Sequence, residues 1–70
     1  METNIFKDRL REVRIEKQIS QDTLAKGLRT YQANIARWES GKKRPTMNYI
    51  IALAKYFNVS ADYLLGLEND

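Results

Sequence analysis

The sequence predicts an all-α fold, with five short helices in one compact domain over residues 1–70. Apolar residues recur at helical spacing in separate stretches, and residues that cap or end helices stand between them. Seventy residues suffice for one small core, which would bury roughly 60% of the surface of the unfolded chain. We expect helices at about residues 5–17, 21–28, 32–40, 46–57 and 61–65.

The composition argues against several classes of function. The chain contains no cysteine and no histidine, so it cannot form a disulfide, a thiolate or imidazole metal site, or a Cys or Ser-His nucleophile. We therefore expect no enzymatic activity, no cofactor and no metal. No apolar run approaches the ~18 residues of a membrane span or the apolar region of a signal peptide. A cytoplasmic protein without membrane contact is the expectation.

The first predicted helix carries its buried face at positions i, i+4 and i+7, which are Phe6, Leu10 and Val13. Thr3 or Asn4 can cap it, because either side chain can accept a hydrogen bond from a free N–H of the first turn. Arg14 lies beside the apolar stripe, where an unpaired charge would be costly to bury. Glu39 is its expected partner, although both charges could instead reach solvent separately.

The stretch of residues 20–41 predicts two helices joined by a tight corner. Ser20 can cap the first helix, and Gly41 stands where a left-handed residue would end the second. The apolar residues fall into two stripes of helical period: Leu24, Ala25 and Leu28, then Ile35 and Trp38. Two helices that cross at a wide angle over a short turn form a helix-turn-helix, whose second helix lies in the major groove of DNA.

The outer face of the second of these helices suits contact with base edges. At about 100° per residue, Ala33 and Arg37 lie opposite the apolar stripe, flanked by Asn34 and Ala36. The face carries no acid, whereas a helix that only meets water tends to carry Glu and Lys. Alanine can contact a thymine methyl, arginine can pair with guanine, and asparagine or glutamine with adenine. The alternative is a surface helix whose alanines only favour helix formation.

Positive charge is concentrated in the middle of the chain. The net charge is +3, but residues 23–61 hold seven basic residues against Glu39 alone, a balance of +6, and the remainder balances to −3. Clustered cations are what phosphate neutralisation requires, although charge runs are more often solvated faces. Three cations precede Pro45 in a loop that we expect to contact the sugar-phosphate backbone: Lys42, Lys43 and Arg44.

The last predicted helix presents more apolar side chains than one end of so small a domain needs to bury. An exposed patch of this kind usually marks a contact with another chain. A symmetric dimer through this end would place two reading helices about one DNA turn apart. One of Leu64 and Leu65 is expected to close the core instead. The candidates for the dimer interface are Tyr63, Leu64, Leu65 and Leu67.

The order of four segments across residues 6–66 resembles the Cro/C1-type, or XRE-like, helix-turn-helix transcriptional regulators: RLREVR, ISQDTLA, IARWESGKKRP and LAKYFNVSADYLLG. The resemblance implies a five-helix, lambda-repressor-like DNA-binding fold, an arginine of helix 1 paired with the glutamate after the tryptophan, and operator DNA as the ligand. By position it implies base contacts from Gln21, Gln32, Ala33, Asn34 and Arg37. For the DNA backbone the expected contacts are Tyr31, Lys42, Lys43, Arg44 and Asn48.

The sequence departs from the family pattern at two helix ends. Arg29 stands at the corner where many members have glycine, and Gln18 occupies the corresponding position after helix 1. If the left-handed turn is kept, Arg29 must adopt a positive φ at a cost of about 1 kcal/mol; otherwise the corner is remodelled. Gly27 could also fray the end of helix 2.

Together these features predict a sequence-specific DNA-binding transcriptional regulator, acting as a repressor and as a homodimer on a palindromic operator. The alternative is a protein-interaction module, antitoxin-like or coactivator-like, in which the helix 5 patch binds a partner and DNA binding is weak. Salt dependence separates the two, because phosphate contacts release counterions whereas an apolar patch does not.

Overall fold

The computed structural model describes residues 4–67, which form five α-helices and, within that range, no strand. The helices are α1 (Ile5–Glu16), α2 (Gln21–Leu28), α3 (Gln32–Ser40), α4 (Met47–Phe57) and α5 (Ala61–Leu65). The predicted all-α class is confirmed. Two boundaries differ by one residue, because Lys17 and Thr46 flank α1 and α4 as cap residues. No helix of the described range is both long and apolar enough to cross a membrane.

Side-chain caps start three of the helices. Each capping oxygen accepts a hydrogen bond from a backbone N–H three residues later, which satisfies a donor that the helix itself leaves free. The pairs are Asn4 with Lys7 at 3.4 Å, Ser20 with Thr23 at 3.0 Å, and Ser60 with Tyr63 at 2.9 Å. Thr3, the other candidate cap of α1, lies outside the described residues. Thr46 occupies the N-cap of α4 without a side-chain hydrogen bond.

The core draws on every helix. One completely buried aliphatic side chain comes from each: Leu10, Leu24, Ile35, Leu53 and Leu64. The assignment of Leu64 to a dimer interface is therefore wrong, because its side chain closes the core of its own chain at 0% exposure. Leu65 and Tyr63 beside it are half-buried, and Leu67 is 72% exposed. The apolar surface at this end is thus smaller than the sequence suggested.

The corner between α2 and α3 keeps the left-handed turn. Arg29 has φ +59° and ψ +45°, and Gln18 after α1 has φ +62°. The backbone N–H groups of Arg29 and Thr30 donate to the carbonyls of Lys26 and Ala25, at 3.2 and 2.9 Å. These bonds satisfy carbonyls at the end of α2 and offset part of the strain at Arg29. The corner thereby fixes where α3 starts.

Gly27 does not fray α2, which continues through Leu28. A Cβ atom at Gly27 would lie 2.4 Å from Cε2 of Tyr56 on α4. That distance is far below van der Waals contact between carbon atoms, so any side chain here would push Tyr56 away. The glycine is explained by the close approach of α2 and α4.

Candidate nucleic-acid interface

The outward side of α3 is bare. Its apolar side packs into the core through Ile35 and Trp38, whereas Gln32, Ala33 and Arg37 are exposed. The single acid of α3 is turned away from this surface, since the Glu39 side chain is only 4% exposed. The exposed side therefore offers a small methyl group, an amide and a cation, with no negative charge among them.

Arg14 and Glu39 form the ion pair that the sequence predicted. Nε of Arg14 donates to Oε2 of Glu39 at 2.6 Å, and Nη2 donates to Oε1 at 2.9 Å. Nη1 donates to the carbonyl of Ile19 at 2.9 Å. The hydrogen bonds to Glu39 raise the pKa of Arg14 above its usual range, while burial acts in the opposite direction. This bidentate, charge-assisted hydrogen bonding connects α3 to α1 and orients the C-terminal end of α3.

The Glu39 carboxylate also binds a neighbouring amide. Nε2 of Gln21 donates to Oε1 of Glu39 at 3.1 Å, and Nε2 of Gln32 donates to Oε1 of Gln21 at 2.6 Å. Gln21 is half-buried and Gln32 is exposed. The structure thus joins two of the predicted base-contacting residues in one hydrogen-bonded row, with Gln32 at its outer end.

A second row supports the other predicted contacts. Nδ2 of Asn34 donates to Oγ1 of Thr30 at 2.7 Å, and Nη1 of Arg37 donates to Oδ1 of Asn34 at 3.4 Å. Asn34 is half-buried, and both its amide nitrogen and its amide oxygen take part in hydrogen bonds within the protein. It links the helix-turn-helix corner to the exposed guanidinium of Arg37.

The loop between α3 and α4 exposes three cations beside the end of α3. Lys42, Lys43 and Arg44 are all exposed. The backbone N–H groups of Lys42 and Lys43 donate to the carbonyl of Arg37, at 3.0 and 3.3 Å, which fixes the loop against the end of α3. Across residues 4–67, neither lysine side chain takes part in an ion pair.

The two remaining predicted backbone contacts, Tyr31 and Asn48, are both exposed. Tyr31 is the N-cap residue of α3 and is 78% exposed; Asn48 lies exposed in the first turn of α4. A hollow of about 90 Å³ lies where the loop meets α3 and α4, lined by Asn34, Trp38, Lys43, Arg44, Pro45, Thr46 and Tyr49. The predicted contacts therefore lie on α2, on α3 and its N-cap, in the loop after α3 and in the first turn of α4.

Two supporting residues were missed by the sequence analysis. Thr30 lies two residues before α3, outside the helix, so the helical spacing rule did not apply and only its closeness to Asn34 along the chain could have indicated their bond. Arg9 lies under α5: Nη1 donates to the carbonyl of Tyr63 at 2.6 Å, and the guanidinium sits 4.3 Å from the centre of the Tyr63 ring. Its position beside the buried stripe of α1, like that of Arg14, was the available signal.

Comparison with known proteins decides the family. Residues 10–64 match the family described as helix-turn-helix. The chain belongs to the helix-turn-helix family. The resemblance to the Cro/C1, or XRE-like, type is confirmed. The prediction of a DNA-binding fold that serves transcription regulation is confirmed with it.

Curated relatives of this helix-turn-helix chain are transcriptional regulators rather than enzymes. The HTH-type transcriptional activator BcrR of Enterococcus faecalis is 36% identical over 63 residues, which are 90% of this chain and 31% of that protein. The uncharacterized HTH-type transcriptional regulator YobD of Bacillus subtilis (strain 168) is 29% identical over 66 residues, 94% of this chain and 59% of that protein. The chain spans only a part of either relative.

Solved structures share the helix-turn-helix fold over nearly the whole chain. The P22 c2 repressor protein, solved in complex with synthetic operator 9T in the presence of Tl+, superposes with a TM-score of 0.87 at 30% identity, covering 94% of this chain and 100% of that one. The restriction-modification controller protein C.AhdI from Aeromonas hydrophila gives a TM-score of 0.78 at 30% identity, covering 84% and 86%.

Proposed function

We propose that this chain binds double-stranded DNA in a sequence-specific manner and represses transcription as a homodimer on a palindromic operator. The observation that carries the proposal is the exposed, acid-free side of α3 with the basic loop beside it. A helix of this kind can enter the major groove, and clustered cations beside it can neutralise phosphates. The likeness to the P22 c2 repressor protein, whose structure contains an operator, supports the assignment.

The two sets of contacts have different tasks in this proposal. Base edges are read by Gln21, Gln32, Ala33, Asn34 and Arg37, because amides pair with adenine, arginine with guanine and a methyl group with thymine. Register on the duplex is held by contacts to sugar and phosphate, which carry no sequence information themselves. The residues assigned to the backbone are Tyr31, Lys42, Lys43, Arg44 and Asn48.

Mixed-sequence duplex provides the first test. Titration at two salt concentrations should show binding that weakens as salt is added. The logarithm of the binding constant should fall with the logarithm of the salt concentration, with a slope of about −0.9 for each phosphate contact. Selection from random duplexes should then yield two inverted half-sites with centres about 34–36 Å apart. Binding that is absent or insensitive to salt would instead favour the protein-interaction module.

The dimer interface in this proposal uses Tyr63, Leu65 and Leu67, since Leu64 is buried in its own core. Leu67→Glu should weaken self-association in sedimentation experiments, because it places a charge in an apolar contact. Met47→Glu is the matched control, since Met47 is also an exposed apolar residue, at 57%, but lies on α4. Equal losses in both variants would show that the C-terminal segment of residues 63–67 is not the interface.

A further inference from the structure

We propose that a groove between α1 and α5 docks a basic segment of another protein, which places an apolar side chain between two glutamates. The groove is a hollow of about 410 Å³ on the surface of the domain. Its lining residues come from the C-terminal half of α1 and from α5: Glu12, Val13, Ile15, Glu16 and Tyr63. This second contact surface is independent of the one proposed for DNA.

The groove lies on the side of α1 that faces away from α3. At about 100° per residue, Glu12 and Glu16 each lie about 160° around α1 from Arg14. The Arg14 guanidinium binds α3. On the groove side, Nη1 of Arg9 donates to the carbonyl of Tyr63 at 2.6 Å and holds α5 against α1. A partner in the groove would therefore contact α1 and α5 while the outward side of α3 stays accessible.

The two glutamates of the groove have no charge partner within the protein. Among the residues that the structure describes, neither Glu12 nor Glu16 forms an ion pair, and both are exposed. They stand four residues apart, a spacing at which like charges repel on a helix. Glu16 also ends α1, where the helix dipole is negative. The helix gains nothing from this placement, so the cation that would balance the pair has to come from outside the chain.

The surface between the glutamates is apolar. Ile15 is 51% exposed, and it lies beside the buried Val13 and the half-buried Tyr63. An aliphatic side chain of a partner could cover Ile15 and so remove apolar surface of both molecules from water. Charges around such a contact steer the approach of a partner of opposite charge. An apolar centre with a charged rim is the arrangement of a contact between proteins.

The charge and the shape of the groove favour a protein over other ligands. Two carboxylates repel the phosphates of DNA and of anionic lipids. A small molecule is usually enclosed over about 70–90% of its surface, whereas three of the five lining residues are exposed here, so the groove is open on its outer side. A helix with an aliphatic residue flanked by lysine or arginine matches both the apolar centre and the acidic rim.

A designed peptide provides the probe. A peptide of about 15 residues with leucine on one helical face and lysine on both sides of that face should bind, and the same peptide with glutamate in place of lysine should not. In NMR spectra the lysine peptide should shift the methyl signals of Ile15 and leave those of Ile51 in place. Ile51 is the internal reference, since it is also an exposed isoleucine, at 43%, but lies on α4. Equal shifts at both residues, or no preference for the lysine peptide, overturn the proposal.

Two double variants with the same change of net charge test the acidic rim. Glu12→Gln with Glu16→Gln should weaken binding of the lysine peptide by about 2- to 30-fold, because two exposed ion pairs are lost. Asp8→Asn with Asp22→Asn is the matched control, since both acids are exposed but lie outside the groove. Circular dichroism verifies that both variants fold. Equal losses in the two variants contradict the proposal.

Sedimentation shows whether a second copy of the chain occupies the groove instead. Tyr63 is also a candidate for the dimer interface, whereas Glu12 and Glu16 are not. Glu12→Gln with Glu16→Gln should therefore leave self-association unchanged. A change would assign the groove to the dimer and overturn the proposal.

DNA titration separates the groove from the proposed function. The glutamine variant should bind mixed-sequence duplex no more weakly than the unaltered chain, because the groove lies away from α3. Weaker binding would place the groove on the DNA surface and contradict the proposal. If the unaltered chain binds no duplex, the proposed function fails, and the peptide experiment still decides whether the groove docks a basic segment.

Discussion

The start of α3 and the loop that follows α3 both belong to the candidate interface but are held in different ways. Gln32 is connected through Gln21 to the buried Glu39 carboxylate by hydrogen bonds between side chains. Lys42 and Lys43 are fixed only through their backbone N–H groups, and their side chains form no ion pair in the described part of the chain. One region is held by hydrogen bonds between side chains, and the other by hydrogen bonds of its backbone.

The difference reflects what each region would have to recognise. Reading a base depends on the direction of hydrogen bonds, so a side chain fixed in advance loses less entropy on binding. Attraction to phosphates depends on charge and tolerates variation in geometry, so long lysine side chains can find their partners after docking. The experiments below test this contrast, beginning with the largest expected effect.

Removing the ion pair beneath α3 should have the largest effect. Arg14→Ala would leave the buried Glu39 carboxylate without its charge partner, at a cost of about 3–5 kcal/mol in the free energy of unfolding. That is much of the stability a domain of this size possesses. Urea unfolding followed by circular dichroism measures the loss. The double substitution Arg14→Met with Glu39→Met should recover a large part of it, because no unpaired charge remains.

Arg11→Ala is the matched control for this experiment. Arg11 is an exposed arginine on the same helix, so its replacement should change the free energy of unfolding by less than about 0.5 kcal/mol. If Arg14→Ala costs no more than Arg11→Ala, the ion pair does not contribute to holding α3 against α1.

Arg37→Ala and Lys43→Ala compare the two regions directly. Arg37→Ala should cost about 1–3 kcal/mol on the best site and relax the sequence preference, because a base contact is lost. Lys43→Ala should weaken binding to all duplexes about equally, because a phosphate contact is lost. For the same reason, the slope of the logarithm of the binding constant against the logarithm of the salt concentration should become smaller in magnitude by about one. Titrations against selected and random DNA at several salt concentrations measure both. Equal losses on both kinds of DNA for both variants would contradict the division between reading and positioning.

The fold was largely predictable because its signals are local. Caps such as Ser20 and apolar stripes of helical period depend on neighbours within one or two turns. The partnership of Arg14 with Glu39 was also accessible, since one charge lies beside a core stripe and one acid stands in a basic region. Leu64 and Leu65 could not be distinguished, because in so short a helix adjacent apolar residues leave open which one faces the core.

The supporting contacts of the site could not be predicted, because they join residues of different helices. Gln21 and Gln32 meet only once the corner has its left-handed conformation, which the sequence left undecided at Arg29. The role of Gly27 likewise depends on Tyr56, which is distant along the chain and close to it only in the fold. Periodicity places residues on faces of helices, but it does not show which faces meet.

The corner itself should give the smallest effect. Arg29→Gly removes the strain of a positive φ, worth about 1 kcal/mol, but glycine also increases the conformational entropy of the unfolded chain by a similar amount. The two contributions nearly cancel, so the midpoint of thermal unfolding should change little. Arg29→Val should lower it by several degrees, because a β-branched residue tolerates this conformation poorly. If Arg29→Gly were as destabilising as Arg29→Val, the Arg29 side chain, rather than its backbone conformation, would be what holds the corner.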